Sequence, residues 1–154
     1  DIILKMIAGF DAVLATGHLS PDESLEILKM ARQYGIKRML VTHASESVVA
    51  MSLMQQKEAV KMGALIEHSF FAVTESCPNP VSLETIYEQV TEIGVDHVIL
   101  SSDFGQTSNP SPVEGFAYYL EKIRKIGFSY EELTGMIHDN PKKLLLGRAT
   151  RETG

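Results

Sequence analysis

Three stretches of this sequence end an apolar run in a residue that can do chemistry. Ala12-Val13-Leu14-Ala15-Thr16-Gly17-His18 ends in a histidine, and so does Arg38-Met39-Leu40-Val41-Thr42-His43. Asp96-His97-Val98-Ile99-Leu100-Ser101-Ser102-Asp103 runs through buried-type residues and two small hydroxyls to a carboxylate. Such runs read as strands, and in parallel α/β proteins the carboxyl ends of strands are where sites are built. Neutral imidazoles and a carboxylate are donors that Zn²⁺ and similar divalent ions accept, and a catalytic site keeps one position for water. A divalent ion lowers the pKa of water in that position to about 7. The expectation is a metal site built from His18, His43 and Asp103, with Asp103 also a general base.

The elements that must position these residues follow from periodicity and punctuation. Ile3, Leu4 and Ile7 suit a short helix ended by Gly9, before strand one at about 12–16. Ser20-Pro21-Asp22-Glu23 is a helix start with a capping box, and Leu25, Leu28, Ala31 and Tyr34 recur at helical spacing up to Gly35. Strand two covers about 38–42, an irregular or helical piece 44–52, and a helix 53–62 ended by Gly63. Strand three is short, 64–67, and Pro78 and Pro80 forbid regular structure in the loop 70–81. Ser82 caps a helix with Leu83, Ile86, Val90 and Ile93 on one face, and strand four follows Gly94. A helix at 113–126, a second capping box at Ser129 and Glu132 opening a helix to Ile137, and a final turn from Asn140-Pro141 complete the chain. The tail from Ala149 is read as frayed.

Strand-end residues therefore fall at His18, His43, His68 and Asp103, spaced by 25, 25 and 35 residues. That is the rhythm of parallel strands with helical crossovers. Two architectures share it: a small open parallel α/β sheet, and four βα units of a (βα)₈ barrel. No G-x-G-x-x-G or Walker motif is present to favour the nucleotide-binding open sheets. Site residues fed from several consecutive strand ends favour the barrel. Half a barrel leaves two raw sheet edges and an exposed inner face, so it requires a second copy or another half.

Composition bounds the rest. The chain has 154 residues, 44% hydrophobic and 22% charged, enough for one domain with a core. A net charge of −6 disfavours nucleic acid and anionic membrane as partners. No apolar run approaches the roughly 18 residues of a membrane span. A single cysteine, Cys77, excludes an intramolecular disulfide and fits a reducing cytoplasm. It sits between Ser76 and Pro78, a setting that activates no thiol.

Thr16-Gly17-His18, Val41-Thr42-His43, Ser101-Ser102-Asp103 and the late Asn140-Pro141-x-x-Leu144-Leu145 resemble the C-terminal half of the amidohydrolase superfamily, metal-dependent hydrolases on a (βα)₈ barrel. The resemblance covers about 10–147. It implies that His18, His43 and Asp103 match the ligand positions after strands 5, 6 and 8. The His-x-His after strand 1 and the ligand after strand 4 have no counterpart here. The implied unit is thus a single-domain fragment, 1–154, holding strands 5–8 and the closing helices, with a missing N-terminal half or a homo-oligomer as its complement. The implied activity is attack of metal-activated water on a C–N, ester or phosphoester bond of a small-molecule substrate, with one or two divalent ions. In mononuclear members the strand-6 histidine steadies the substrate instead, so His43 has both a ligand and a catalytic reading. The alternatives are a non-catalytic half-barrel and a metal-free enzyme using the histidines as acid and base.

Other polar residues divide between site and scaffold. Gln106, on the loop after strand four, and Glu67, at the end of strand three, are the substrate-contact candidates. His68 reads as a rim or capping residue. Thr16, Thr42 and Ser101 either pack in the barrel or orient ligands. His97 lies at a strand start and His138 at a helix end, where structural roles suffice. Met39, Met51, Met54 and Met62 read as core fillers.

Overall fold

Four strands pair side by side in chain order in the computed structural model, which describes residues 1–147. They are β1 (Leu14–Ala15), β2 (Met39–Val41), β3 (Ala64–Ser69) and β4 (Val98–Ser101). All three pairings are parallel, with Leu14 opposite Met39, Met39 opposite Ala64 and Ile66 opposite Val98. A doubly wound sheet reverses its strand order at a switch point. The order here runs without reversal, so the chain has the fold of half a (βα)₈ barrel.

Helix α1 (Ile2–Gly9) precedes β1, and α2 (Pro21–Gln33), α3 (Leu53–Lys61) and α4 (Leu83–Ile93) make the crossovers. After β4 come α5 (Pro112–Ile126), α6 (Tyr130–Thr134) and α7 (Asn140–Leu146). The helix starts are locally encoded. Ser20 accepts from the Glu23 amide while Glu23 reaches back, and Ser129 with Glu132 and Ser52 with Gln55 repeat the exchange. The outward sheet face, Met39, Val41, Ile66, Val98 and Leu100, is buried under the helices, meeting Leu28, Ala31, Ile86 and Val90 in one core. The inner face carries Ala15, Leu40 and Leu65 in register, Ala15 exposed and the two leucines half-buried. A complete barrel fills this face with side chains from the remaining strands.

Several boundaries differ from the sequence expectation. β1 is only two residues long, pairing Leu14 with Met39 and Ala15 with Leu40. β3 runs past Glu67 to Ser69, since β4 pairs with it out to Ser101. The proline loop begins with a 3₁₀ turn, Phe71–Val73, upstream of both prolines. The segment from Tyr130 does not stop at Ile137; a π-helical turn, Gly135–Asp139, carries it into α7. Pro141 offers no amide to the carbonyl four residues back and its ring crowds that carbonyl, and the wider turn relieves both. Asn140 is buried, and its Nδ2 donates to the carbonyls of Val95 at 2.8 Å and Val98 at 2.7 Å, tying α7 to the start of β4. No helix among the described residues is long and apolar enough to cross a membrane. The frayed tail read from Ala149 onward lies outside the described residues.

Candidate metal centre

Each of the three site strands leaves the sheet through a left-handed residue two positions past its end. After β1 it is Gly17, at φ 62°; after β2, His43, at 56°; after β4, Asp103, at 51°. His43 and Asp103 are thus the backbone equivalents of Gly17, not of His18. For a residue with a Cβ this conformation costs about 1–2 kcal/mol, and such strain concentrates at functional sites.

The turn after β1 places the exposed His18 against His43. Their ring centroids are 4.6 Å apart and their planes 4° from parallel. Main-chain stitching holds the two exits together: the Thr42 amide donates to Thr16 Oγ1 at 3.2 Å, and Thr42 Oγ1 donates to the Gly17 carbonyl at 3.0 Å. The two threonines tie the turns after β1 and β2 to each other. On the other side, the His43 amide donates to Glu67 Oε2 at 3.2 Å, and the Ala44 amide donates to the Glu67 carbonyl at 3.2 Å. Glu67 anchors the turn that carries His43.

Behind His43 lies a carboxylate that the sequence reading did not single out. Glu46 is buried, its Oε1 lies 2.9 Å from His43 Nδ1, and Ser69 Oγ donates to the same oxygen at 2.5 Å. One donor atom each from His18, His43 and Glu46 lie within 4.8 Å of one another. The signal was present as an acid three residues after a strand-end histidine. It was hidden by the irregular character of 44–52, which gives no periodicity to say where Glu46 points. Asp103 comes in from β4, with Oδ2 3.8 Å from His43 Nδ1.

Burial and neighbouring charges shift His43, Glu46 and Asp103. The hydrogen bond to Glu46 lifts His43 above the ordinary histidine range, against burial, helped by the negative charges of Glu46, Glu67 and Asp103. Burial pushes Glu46 up, but hydrogen bonds from His43 and Ser69 and the nearby histidine charge outweigh it and hold the carboxyl below its usual value. Asp103 is raised by burial and by the charge of Glu46, partly offset by the two histidines.

The remaining candidates have other partners. Gln106 is exposed, and its Oε1 accepts from the Gly105 amide and Asn109 Nδ2 within its own loop. His68 is not a rim residue: it faces the helix layer, fully buried, with Nδ1 2.8 Å from Ser45 Oγ. Ser101 Oγ is buried without a partner among the described residues. Cys77 is buried in its loop.

A family of unknown function (DUF6282) matches residues 1–67, which include His18, His43 and Glu46. No curated protein matches the chain. Among solved structures, a variant organophosphorus hydrolase from Deinococcus radiodurans is similar, with a TM-score of 0.63 and 16% identity over 80% of this chain. The match covers 43% of that protein, so this chain spans less than half its length. The likeness is one of fold.

Proposed function

We propose that this chain is the site-bearing C-terminal half of a metal-dependent hydrolase of the amidohydrolase type. A divalent ion, zinc by donor chemistry, would be held by His18, His43 and Asp103. The observation that carries this reading is the convergence of two imidazoles and two carboxylates, Glu46 and Asp103, from three separate strand exits. The donor set fits. Ligands around one zinc lie about 2 Å from it and so about 4 Å or less from each other. One donor atom each from His18, His43 and Glu46 lie within 4.8 Å of one another, and the Asp103 carboxylate, 3.8 Å from the His43 ring, is near enough to join the two histidines after a side-chain rotation.

When bound, the ion would polarise the scissile group and lower the pKa of water at the site. Asp103 would take up the proton at the carboxylate oxygen that does not hold the ion. His43 would hold its place as ligand or as a contact to the substrate. Glu67, at the inner face, and Gln106, on the loop after β4, would meet the substrate. A small molecule with a C–N, ester or phosphoester bond suits this chemistry, and the organophosphorus hydrolase of like fold favours trying phosphoesters first.

The reading includes a complement for the open sheet, either another half-barrel or a second copy of this chain. Beside the free edge of β4, Leu100, Ser101, Val113 and Phe116 line an open apolar groove, and α1 with the residue that follows it exposes Ile2, Ile3, Met6 and Phe10. Elemental analysis together with intact native mass tests the proposal, followed by an ester and phosphoester panel with and without chelator. Stoichiometric zinc and chelator-sensitive hydrolysis are expected. Hydrolysis that persists in a verified metal-free preparation would transfer the histidines to acid–base roles. A metal-free, inactive assembly would leave a non-catalytic half-barrel.

A further inference from the structure

The geometry points to Glu46 as the positioning residue for His43: clamped by Ser69, it holds the His43 proton on Nδ1 and leaves Nε2 as the atom that ligates the metal. The inference rests on the metal reading above for its last step, but not for the first.

Glu46 could instead be a third ligand, and its proximity to both histidines permits that. Its hydrogen bonding argues otherwise. Oε1 already receives His43 Nδ1 at 2.9 Å and Ser69 Oγ at 2.5 Å. An ionised carboxylate only accepts, so both partners must donate, and the proton between Glu46 and His43 lies on Nδ1. Glu46 is 4% exposed and sits on the turn directly after β2, with its own amide donating to the His43 carbonyl at 2.9 Å. That bond closes the turn and holds Glu46 to the Nδ1 side of the ring. Asp103 is different: its side chain is 34% exposed, and it meets His43 only at 3.8 Å. Of the two carboxylates, Asp103 is the one free to move onto an ion. Metal-ligating histidines typically donate their second ring N–H to a carboxylate or carbonyl, which fixes the ring and makes it a better ligand.

The division of labour explains Ser69. A serine at the end of β3, buried and aimed at the site, binds neither substrate nor metal in this scheme. Together with His43 it occupies Glu46 Oε1 and holds the carboxylate on the Nδ1 side of the ring.

Two-dimensional proton–nitrogen NMR of the histidine rings, on metal-free and zinc-loaded protein, reads the tautomer directly. Free histidine side chains favour the proton on Nε2, so a proton on Nδ1 of His43 in both states is the expected result. Glu46→Gln should shift the metal-free tautomer mixture towards Nε2–H and weaken zinc binding about 10–100-fold by titration calorimetry. Ser69→Ala, which leaves both partners in place, should shift both readouts in the same direction by less, and it stands in if Glu46→Gln fails to fold. A His43 ring in the wild-type protein with a bare Nδ1 and its proton on Nε2 overturns the inference in either state, because zinc would then sit on Nδ1 beside Glu46. So does a variant whose tautomer and zinc affinity are unchanged. A wild-type protein with the Nδ1 proton but no zinc binding would retain the Glu46 clamp and remove the metal reading.

Discussion

His18 stacks on His43 with 4.6 Å between ring centroids and 4° between planes, although the two residues leave different strands. Two imidazolium rings would repel in that arrangement, while two neutral rings, or two rings sharing one ion, do not. His18→Ala should therefore lower zinc affinity by about a hundredfold or more, beyond the 10–100-fold typical of an outer partner. The ring is exposed, so folding stability should change by no more than about 0.5 kcal/mol. Calorimetric zinc titration beside a thermal melt checks both. Unchanged affinity would exclude His18 from the site.

Asp103 combines a site carboxylate with a left-handed backbone, and substitution can separate the two. Asparagine tolerates that conformation almost as well as aspartate, whereas a β-branched residue does not. Asp103→Asn should keep stability within about 0.5 kcal/mol of wild type, and Asp103→Val should lose about 1–2 kcal/mol more. Both should weaken zinc binding. Urea denaturation of the pair measures the backbone contribution, and equal stabilities would show that the turn relaxes.

The strands, crossovers and capping boxes were legible because periodicity and punctuation are local signals. Ser20 with Glu23 and Ser129 with Glu132 cap as their spacing predicts. The metal candidates His18 and His43 were legible because both follow apolar runs, and the structure brings them into contact. Glu46 was not, since its direction depends on how an irregular turn packs against Ser69 on another strand. His68 was misread as rim because strand three was ended two residues early; the true register turns its ring to the helices. The left-handed turns at His43 and Asp103 were hidden for a related reason. Glycine advertises that conformation at Gly17, while a histidine or aspartate adopts it without any sign in the sequence.

Gly115 couples α5 to the site. A Cβ there would run into the ring of Phe104, whose centroid lies 5.3 Å from that of Phe70 and whose backbone follows Asp103. The ring cannot step aside freely, so Gly115→Ala should cost about 1–3 kcal/mol. It should also weaken zinc binding by displacing Asp103. Gly135→Ala is the control: its backbone is helical and a Cβ there meets nothing within 4 Å. That change should stabilise by about 0.5–1 kcal/mol. Chemical denaturation of both variants decides, and a neutral Gly115→Ala would mean the Phe104 ring repacks.

His68 should make the fold acid-sensitive before the carboxylates do. Ser45 Oγ donates to Gln89 Oε1 at 2.7 Å, so it can only accept from His68, and the ring is neutral with its proton on Nδ1. Nε2 is buried without a partner among the described residues, and burial lowers the pKa to about 4 from 6.5. The unfolded chain binds this proton first, so the contribution is complete above pH 6.5 and is lost as pH falls through about 4. The loss amounts to about 3 kcal/mol at most. His43, shifted the other way, contributes steadily below the unfolded value and loses its share as pH rises, so it does not cancel this window. Glu46 is depressed and gives way only below the ordinary carboxylate range. Urea denaturation between pH 7 and 4 should show stability falling with pH in wild type and much less so in His68→Gln. Parallel slopes for the two proteins would show that His68 is protonated in the folded state without penalty.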